Sequence, residues 1–232
     1  MTSQEIEFFA TLDRAYRTTR ERFVEFAERP DCRRFVVPPA TDPDVGFSIL
    51  YTPPVFNPPL LIIGLNPANF AGAGADQAGE PNRTMLSGTP PTVNSYLQHD
   101  HVFARALRAS FAGYEDLLAS TVGMNVWHFQ QVSDAAKAPK DLIAFCESTT
   151  FDIATTMKPQ HVLCFSRQAL NLCKTAGEVV EEGLAAERTS FTGATWWYVP
   201  HLTGPYTRAK AELAMPMVLD LIARDLASND SR

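Results

Sequence analysis

The chain has 232 residues, of which 45% are hydrophobic and 20% are charged, and it carries a formal net charge of −6 at pH 7. Its length and apolar content suit one sizeable α/β domain, and its acidic balance argues against a generally basic nucleic-acid binder but allows a local basic patch. The first residues lack a basic stretch followed by an apolar core, and no apolar run approaches the length that spans a bilayer. We therefore expect a cytoplasmic protein that does not contact membranes.

Hydrophobic periodicity predicts a helix and then two strands in the first quarter of the chain. Residues 4 to 28 carry apolar side chains at helical spacing and end before Pro30, which indicates an amphipathic helix. Residues 47 to 51 have the composition of a strand and are closed by two prolines. Residues 60 to 64, LLIIG, form a continuous apolar run that breaks at a glycine, which predicts a buried parallel strand.

Strand and helix patterns alternate through the rest of the chain. Residues 68 to 93 are rich in Gly, Ala, Pro and Thr, which predicts a long surface loop. The alternation that follows predicts a parallel sheet with helices on both faces. The predicted helices cover residues 102 to 111, 140 to 157 and 168 to 184, and a last one, kinked at Pro216, runs from after Gly204 to about Ala227; the predicted strands cover 122 to 129, 161 to 165 and 196 to 199, with Gly193 in a hairpin turn.

Polar motifs lie where three of the predicted strands end. Gly64-Leu65-Asn66-Pro67 follows the first strand, Asn125 lies on the second, and His201-Leu202-Thr203-Gly204 follows the last. Because parallel strands bring their carboxyl ends to one edge of a sheet, we expect two carboxamides and an imidazole to line one cleft. The three motifs contain no Asp or Glu, which argues against carboxylate-pair chemistry and against a hard-metal site.

Other chemical motifs are weak or absent. His99 and His101 lie two residues apart and give weak support for zinc. Gly72-Ala73-Gly74 lacks the glycine spacing and the following helix of a dinucleotide-binding fingerprint, and no Gly-x-Ser-x-Gly nucleophile elbow is present. The four cysteines include no Cys-x-x-Cys pair, so they are interpreted as buried thiols of a reducing compartment. We expect no metal and no cofactor.

Together these motifs resemble those of the uracil-DNA glycosylase superfamily, over about residues 58 to 226. Gly64-Leu65-Asn66-Pro67-Ala68 is similar to Gly-Ile-Asn-Pro-Gly, which begins the first motif of the mismatch-specific uracil and thymine glycosylases. Asn125 lies where the superfamily places a base-reading Asn, and His201-Leu202-Thr203-Gly204 resembles its last motif, usually His-Pro-Ser or Asn-Pro-Ser-Gly. The resemblance implies an α/β fold, a three-layer α/β/α sandwich with a central four-stranded, mainly parallel sheet.

The expected organisation is a single domain of residues 1–232, in which 1–57 form an N-terminal helix and strand extension of a core of 58–228. The resemblance implies a monomeric DNA-repair glycosylase whose partner is DNA containing uracil or a mispaired or damaged base. It would flip the base out and cleave the N-glycosidic bond by water attack at C1′. Asn66 would position the water and His201 would stabilise the departing base. Gly64, Leu65, Asn125 and Phe70 would bind the base, and Thr203, Gly204, Tyr206, Arg208 and Lys210 would contact DNA.

The chain departs from the family pattern in ways that keep other functions open. Leu202 stands where Pro is usual and Thr203 where Ser is usual, and Asp76 to Gly79 lack the aromatic residue that stacks on the base, for which Phe70 or Tyr96 could substitute. The alternative function is a non-catalytic or repurposed member of the fold that binds a nucleobase, nucleotide or protein. A remote third alternative is an unrelated small-molecule hydrolase. Asn66 and Asn125 could also be turn residues, His201 a loop residue that bonds backbone, and Arg208 and Lys210 a solvated helix start.

Overall fold

The computed structural model describes residues 1–36, 46–65, 87–129, 137–172, 179–181, 187–191, 193–204 and 206–229. In this part of the chain, six strands form one sheet. The strands are β1 (Leu60–Gly64), β2 (Val122–Asn125), β3 (His161–Cys164), β4 (Val179–Glu181), β5 (Glu187–Phe191) and β6 (Ala194–Tyr198). The helices are α1 (Ser3–Glu28), α2 (Ser95–Gln98), α3 (Val102–Ser110), α4 (Glu115–Ala119), α5 (Lys140–Met157), α6 (Arg167–Asn171) and α7 (Arg208–Asn229).

The sheet has the order β2-β1-β3-β6-β5-β4, and its first four strands run parallel. Leu61 and Ile63 of β1 pack into one apolar cluster, while Leu60 and Ile62 pack into another on the opposite face. A strand that is buried on both faces needs an unbroken apolar sequence, which is why LLIIG predicted it. The four-stranded parallel sheet with helices on both faces, expected from the sequence, is confirmed.

One layer of helices contains α1 and α5, and the short α6 packs into the same apolar cluster. Phe8 and Phe23 of α1 are fully buried in the same cluster as Leu61, and the Phe23 ring stacks on Phe129 with 5.9 Å between centroids. The opposite layer contains α3 and α7, whose buried side chains join Trp197 of β6 in the second cluster. The N-terminal helix therefore builds one face of the sandwich instead of lying outside it.

The sequence-based boundaries were wrong in three places. The helix expected over 168 to 184 ends at Asn171, and Val179–Glu181 forms β4, antiparallel to β5. Two adjacent β-branched valines next to an available strand favour pairing, which local helical spacing could not reveal. Residues 47 to 51 make only isolated bridges, such as Leu50 with Met124, and β2 ends at Asn125 instead of continuing to 129.

Other expectations are confirmed. Gly193, with a φ of 86°, precedes β6 in the antiparallel β5–β6 connection, as a hairpin turn requires. Helix α5 has its predicted bounds, and α7 contains Pro216 and runs to Asn229, slightly beyond the expected end. Within the described ranges, every helix is too short or too polar to cross a bilayer.

Candidate functional site

The four parallel strands end together at one edge of the sheet. Gly64 lies opposite Asn125 in the register, Ile63 lies opposite Cys164, and Cys164 lies opposite Tyr198. The segment carrying His201 leaves β6 at this edge, so the structure brings the ends of all three predicted motif strands to one place. Asn125 and the end of β6 are separated by three strand spacings, about 14 Å.

Asn125 of β2 lies opposite Gly64 of β1, and its side chain packs against the glycine. A Cβ atom placed on Gly64 would lie 2.2 Å from Asn125 Oδ1, so the carboxamide occupies the space that a larger residue at position 64 would need. The Asn125 side chain is buried, and its Nδ2 donates a hydrogen bond to the Tyr51 hydroxyl at 3.0 Å. Gly64 is therefore required beside this carboxamide, in addition to ending the strand.

The backbone around Asn125 is held from α5. Thr150 Oγ1 lies 3.2 Å from the Asn125 carbonyl oxygen and 3.3 Å from that of Val126, and it donates to them. His128 Nε2 lies 3.1 Å from the same hydroxyl. Complete burial lowers the pKa of His128 to about 3, so this imidazole is neutral at physiological pH. His128 is thus a core residue that supports the carboxyl end of β2.

The surroundings of His201 favour its neutral form and hold that form in one tautomer. The backbone amide of Thr203 donates to His201 Nδ1 at 3.3 Å, and the Thr203 hydroxyl lies 3.1 Å from the same atom. Partial burial lowers the pKa of His201, which favours the neutral ring. Because a backbone amide can only donate, Nδ1 must carry a lone pair, and the neutral ring then holds its proton on Nε2. The side chain therefore offers an N–H donor.

Aromatic side chains pack beside the His201 ring. The half-buried Phe103 ring lies 5.3 Å from the His201 ring, 5.4 Å from that of Phe165 and 6.2 Å from that of Tyr96. Tyr96 is buried over Gly123, where an added Cβ atom would come within 2.3 Å of its hydroxyl. Tyr96 is therefore a packing residue, and Phe103 is the aromatic residue that the structure places next to the imidazole.

The loop after His201 is fixed by packing and hydrogen bonds. Thr207 Oγ1 donates to the His201 carbonyl at 2.7 Å, and a Cβ atom on Gly204 would lie 2.4 Å from that hydroxyl. Leu202 is only 4% exposed and packs in the apolar cluster with α7. The leucine found where the family pattern has proline thus anchors the loop through its side chain.

The residues expected to contact DNA lie on an open surface next to this loop. Tyr206 is 93% exposed, and Arg208 and Lys210 are exposed at the start of α7. Arg208 Nε donates to Glu212 at 2.7 Å. A groove of about 630 Å³ opens between α3 and α7, and Thr203, Arg208 and Arg105 are among the residues that line it.

Two predicted site residues, Asn66 and Phe70, lie outside the described residues. The described chain of β1 continues to Leu65, whose carbonyl accepts from Trp127 N at 2.8 Å. Within the described ranges, no group of three or more His, Cys, Asp or Glu is arranged to hold a metal ion. His101 instead caps α3, with its Nδ1 accepting from Ala104 N at 3.2 Å.

Comparison of the chain with protein-family models and with curated proteins found no match. Its function must therefore be argued from the geometry of the site. Sequence reasoning missed four residues of this region, because nothing in their local sequence marks which strand or loop they approach in the fold. These residues are Tyr51, Phe103, Arg105 and Thr150.

Proposed function

We propose that the protein is a DNA glycosylase that hydrolyses the N-glycosidic bond of uracil or a related base. The observation that carries the proposal is that two oriented polar groups lie at the same edge of the sheet. The Asn125 carboxamide is fixed over Gly64, and the neutral His201 ring is fixed with its proton on Nε2. Between their strands lies the carboxyl end of β1, which Asn66 follows in the chain.

The two groups suit the charges that develop during glycosidic cleavage. As the bond between C1′ and the base nitrogen breaks, its electron pair moves onto the base and is shared with a carbonyl oxygen. A neutral N–H at His201 stabilises that oxyanion without having to give up its proton. The water oxygen forms the new bond to C1′ and loses its proton to solvent, and the Asn66 carboxamide positions this water.

The surface near the site offers ways to hold DNA while the base is flipped out. Extrusion costs a few kcal/mol, and the cost is lowest for mispaired or single-stranded bases. Tyr206 is almost fully exposed, so it can insert where the base has left, and Arg208 and Lys210 can contact phosphates. Phe103 offers an aromatic surface next to His201 for the flipped base.

A second candidate function is a protein that binds a nucleobase or nucleotide without catalysis. Two observations favour it: the net charge of −6 and the ion pair of Arg208 with Glu212, which weakens the attraction of that arginine for phosphate. This function would use the same Asn125 carboxamide and His201 donor to recognise a base. It differs from the first only in the absence of bond cleavage.

The test is a strand-cleavage assay on single- and double-stranded oligonucleotides that contain uracil, hypoxanthine or a thymine mispair. Alkali after incubation converts each abasic site into a strand break. We expect breaks at uracil with the natural protein and far fewer with Asn66→Ala. A folded protein that cleaves none of these substrates but binds free uracil or a uracil nucleotide would support the second function and exclude the first.

A further inference from the structure

Helix α7 has a buried face and an exposed face. The buried face, which includes Ala211 and Met215, packs into the apolar cluster on one side of the sheet. The residues of the exposed face follow one another at spacings of four, three, four, three and four positions. This is the 3.5-residue repeat with which one helix packs against another. We call this face the α7 seam; its residues are Tyr206, Lys210, Leu213, Met217, Asp220 and Arg224.

The centre of the α7 seam is apolar. Leu213 is 72% exposed and Met217 is 48% exposed, and because they lie four residues apart they are neighbours on the helix surface. Burying apolar surface stabilises a complex by about 25 cal/mol per Å². A single exposed apolar side chain is ordinary, but two neighbours within a 3.5-residue repeat indicate a face that another helix can cover.

The charged residues of the α7 seam are placed symmetrically about this centre. Lys210 lies three residues before Leu213, and Asp220 lies three residues after Met217. Asp220 Oδ1 accepts a hydrogen bond from the Tyr114 hydroxyl, and Oδ2 lies 3.5 Å from Arg224 Nη2. The carboxylate is thus held in place while half of its side chain stays exposed, so it loses little freedom when it meets a cation.

We propose that the α7 seam binds the α7 seam of a second copy of this chain, with the two helices antiparallel. The two-fold axis passes midway between Leu213 and Met217. In this register Leu213 contacts the partner's Met217, Lys210 meets the partner's Asp220, and the Tyr206 ring lies against the guanidinium of the partner's Arg224. Each contact occurs twice, because the axis exchanges the two copies.

Charge distinguishes the antiparallel pair from a parallel one. In a parallel pair, Lys210, Asp220 and Arg224 would each face their own equivalents, and like charges that meet at an interface oppose binding. In the antiparallel pair each charge faces an opposite charge or an aromatic ring. The net charge of −6 on each copy opposes any association, but at physiological salt this repulsion is screened over about 8 Å, so the direct contacts dominate.

The pair should be weak and reversible. Two helices in contact bury less surface than stable interfaces, which bury about 1,200 Å² or more, so we expect a dissociation constant on the order of 10 µM or above. The proposal differs from the monomer that the family resemblance implies, and it does not depend on the proposed function. Pairing covers Tyr206 and Lys210, so a second copy and DNA would use the same face of α7.

The first test is sedimentation velocity at protein concentrations from about 1 µM to 1 mM, a range that spans the expected dissociation constant. The natural protein should shift from monomer to dimer across this range. Leu213→Asp places a charge at the apolar centre and should raise the dissociation constant tenfold or more. Val24→Asp is the matched control, because Val24 is an exposed valine of α1, away from the α7 seam. A natural protein that stays monomeric, or equal losses in the two variants, would overturn the proposal.

The second test exchanges the charges of the α7 seam. Lys210→Glu and Asp220→Lys each create two like-charge contacts across the axis, and each should raise the dissociation constant on the order of tenfold. The double variant Lys210→Glu/Asp220→Lys restores both opposite-charge contacts and the natural net charge, so its dissociation constant should return close to the natural value. If only net charge mattered, the less acidic Asp220→Lys would form the tighter dimer. That result, or a double variant no tighter than its single variants, would overturn the antiparallel register.

Discussion

At the scale of single residues, the candidate site contains side chains that are oriented by hydrogen bonds to the protein and keep one further polar atom for a ligand. His201 accepts at Nδ1 and offers Nε2, and Asn125 donates one amide hydrogen to Tyr51 and keeps its oxygen. Such orientation is what electrostatic catalysis and base recognition require, because a freely rotating group would pay an entropic cost at each encounter. Thr203 therefore belongs to the candidate site because it orients the His201 ring.

Asn66 and His201 should act on the same transition state, one on the water and the other on the leaving base. We expect Asn66→Ala and His201→Ala each to lower the single-turnover excision rate by about 10²-fold, equivalent to about 2.7 kcal/mol. Binding of an abasic duplex should change much less, because neither residue is chiefly a phosphate contact. His99→Ala serves as the control for removing an imidazole elsewhere. An active enzyme that tolerates both substitutions would show that the assigned roles are wrong.

Gly64→Ala should disable base reading without removing any functional group. Its Cβ atom would lie 2.2 Å from Asn125 Oδ1, so the carboxamide must leave its position. We expect excision to fall about as far as in Asn125→Ala. Gly113→Ala is the control, because its φ of 86° makes the substitution strained while nothing lies within 4 Å of the added atom. Thermal unfolding separates the two effects, and full activity in Gly64→Ala would contradict the close approach.

At the scale of elements, the sequence was informative where burial alone decides the structure. The runs at 60 to 64 and 161 to 165 predicted parallel strands because both of their faces are covered. The prediction from sequence failed at Val179, where pairing with β5 decides whether the segment forms a helix or a strand. The same holds for the candidate site. The sequence identified the motifs at strand ends but not Tyr51, because the hydrogen bond between Tyr51 and Asn125 joins residues that are far apart in the sequence.

The start of α7 provides a test of DNA contact that compares two arginines on one helix. Arg208 and Arg224 are both exposed and both pair with an acidic residue four positions away, but only Arg208 lies beside the His201 loop and the groove. Arg208→Ala should weaken DNA binding across sequences and reduce the slope of log K against log salt by about 1, whereas Arg224→Ala should leave the slope unchanged. Glu212→Gln should strengthen binding by releasing Arg208.

Fluorescence anisotropy of labelled duplexes at several salt concentrations measures these slopes. Equal slopes for Arg208→Ala and the natural protein would remove α7 from the DNA contact surface. Equal losses in the Arg208 and Arg224 variants would instead indicate that only the general charge of the molecule matters.

At the scale of the whole molecule, the two layers depend on buried polar groups as well as on apolar packing. His128 is fully buried, its ring lies 6.5 Å from that of Phe129, and its Nε2 contacts Thr150 of α5. The same threonine holds the carbonyls of Asn125 and Val126. The same contacts therefore stabilise this layer and hold the backbone of the candidate site. Protonation of His128 should weaken both.

The stability of the protein should accordingly fall in mild acid. His128 has a pKa of about 3 when folded, against an ordinary value of 6.5. Between these values the unfolded chain binds a proton that the folded chain excludes. The contribution of neutral His128 to the free energy of unfolding is therefore fully present above pH 6.5 and is lost as the pH falls toward 3. The largest slope from one such group is about 1.4 kcal/mol per pH unit. In His128→Gln this contribution disappears, while the carboxylates, common to both proteins, titrate as before. Urea unfolding at pH 7, 5.5 and 4 should therefore show a shallower decline for the variant, and parallel declines would mean that His128 is protonated in the folded protein or reached by water.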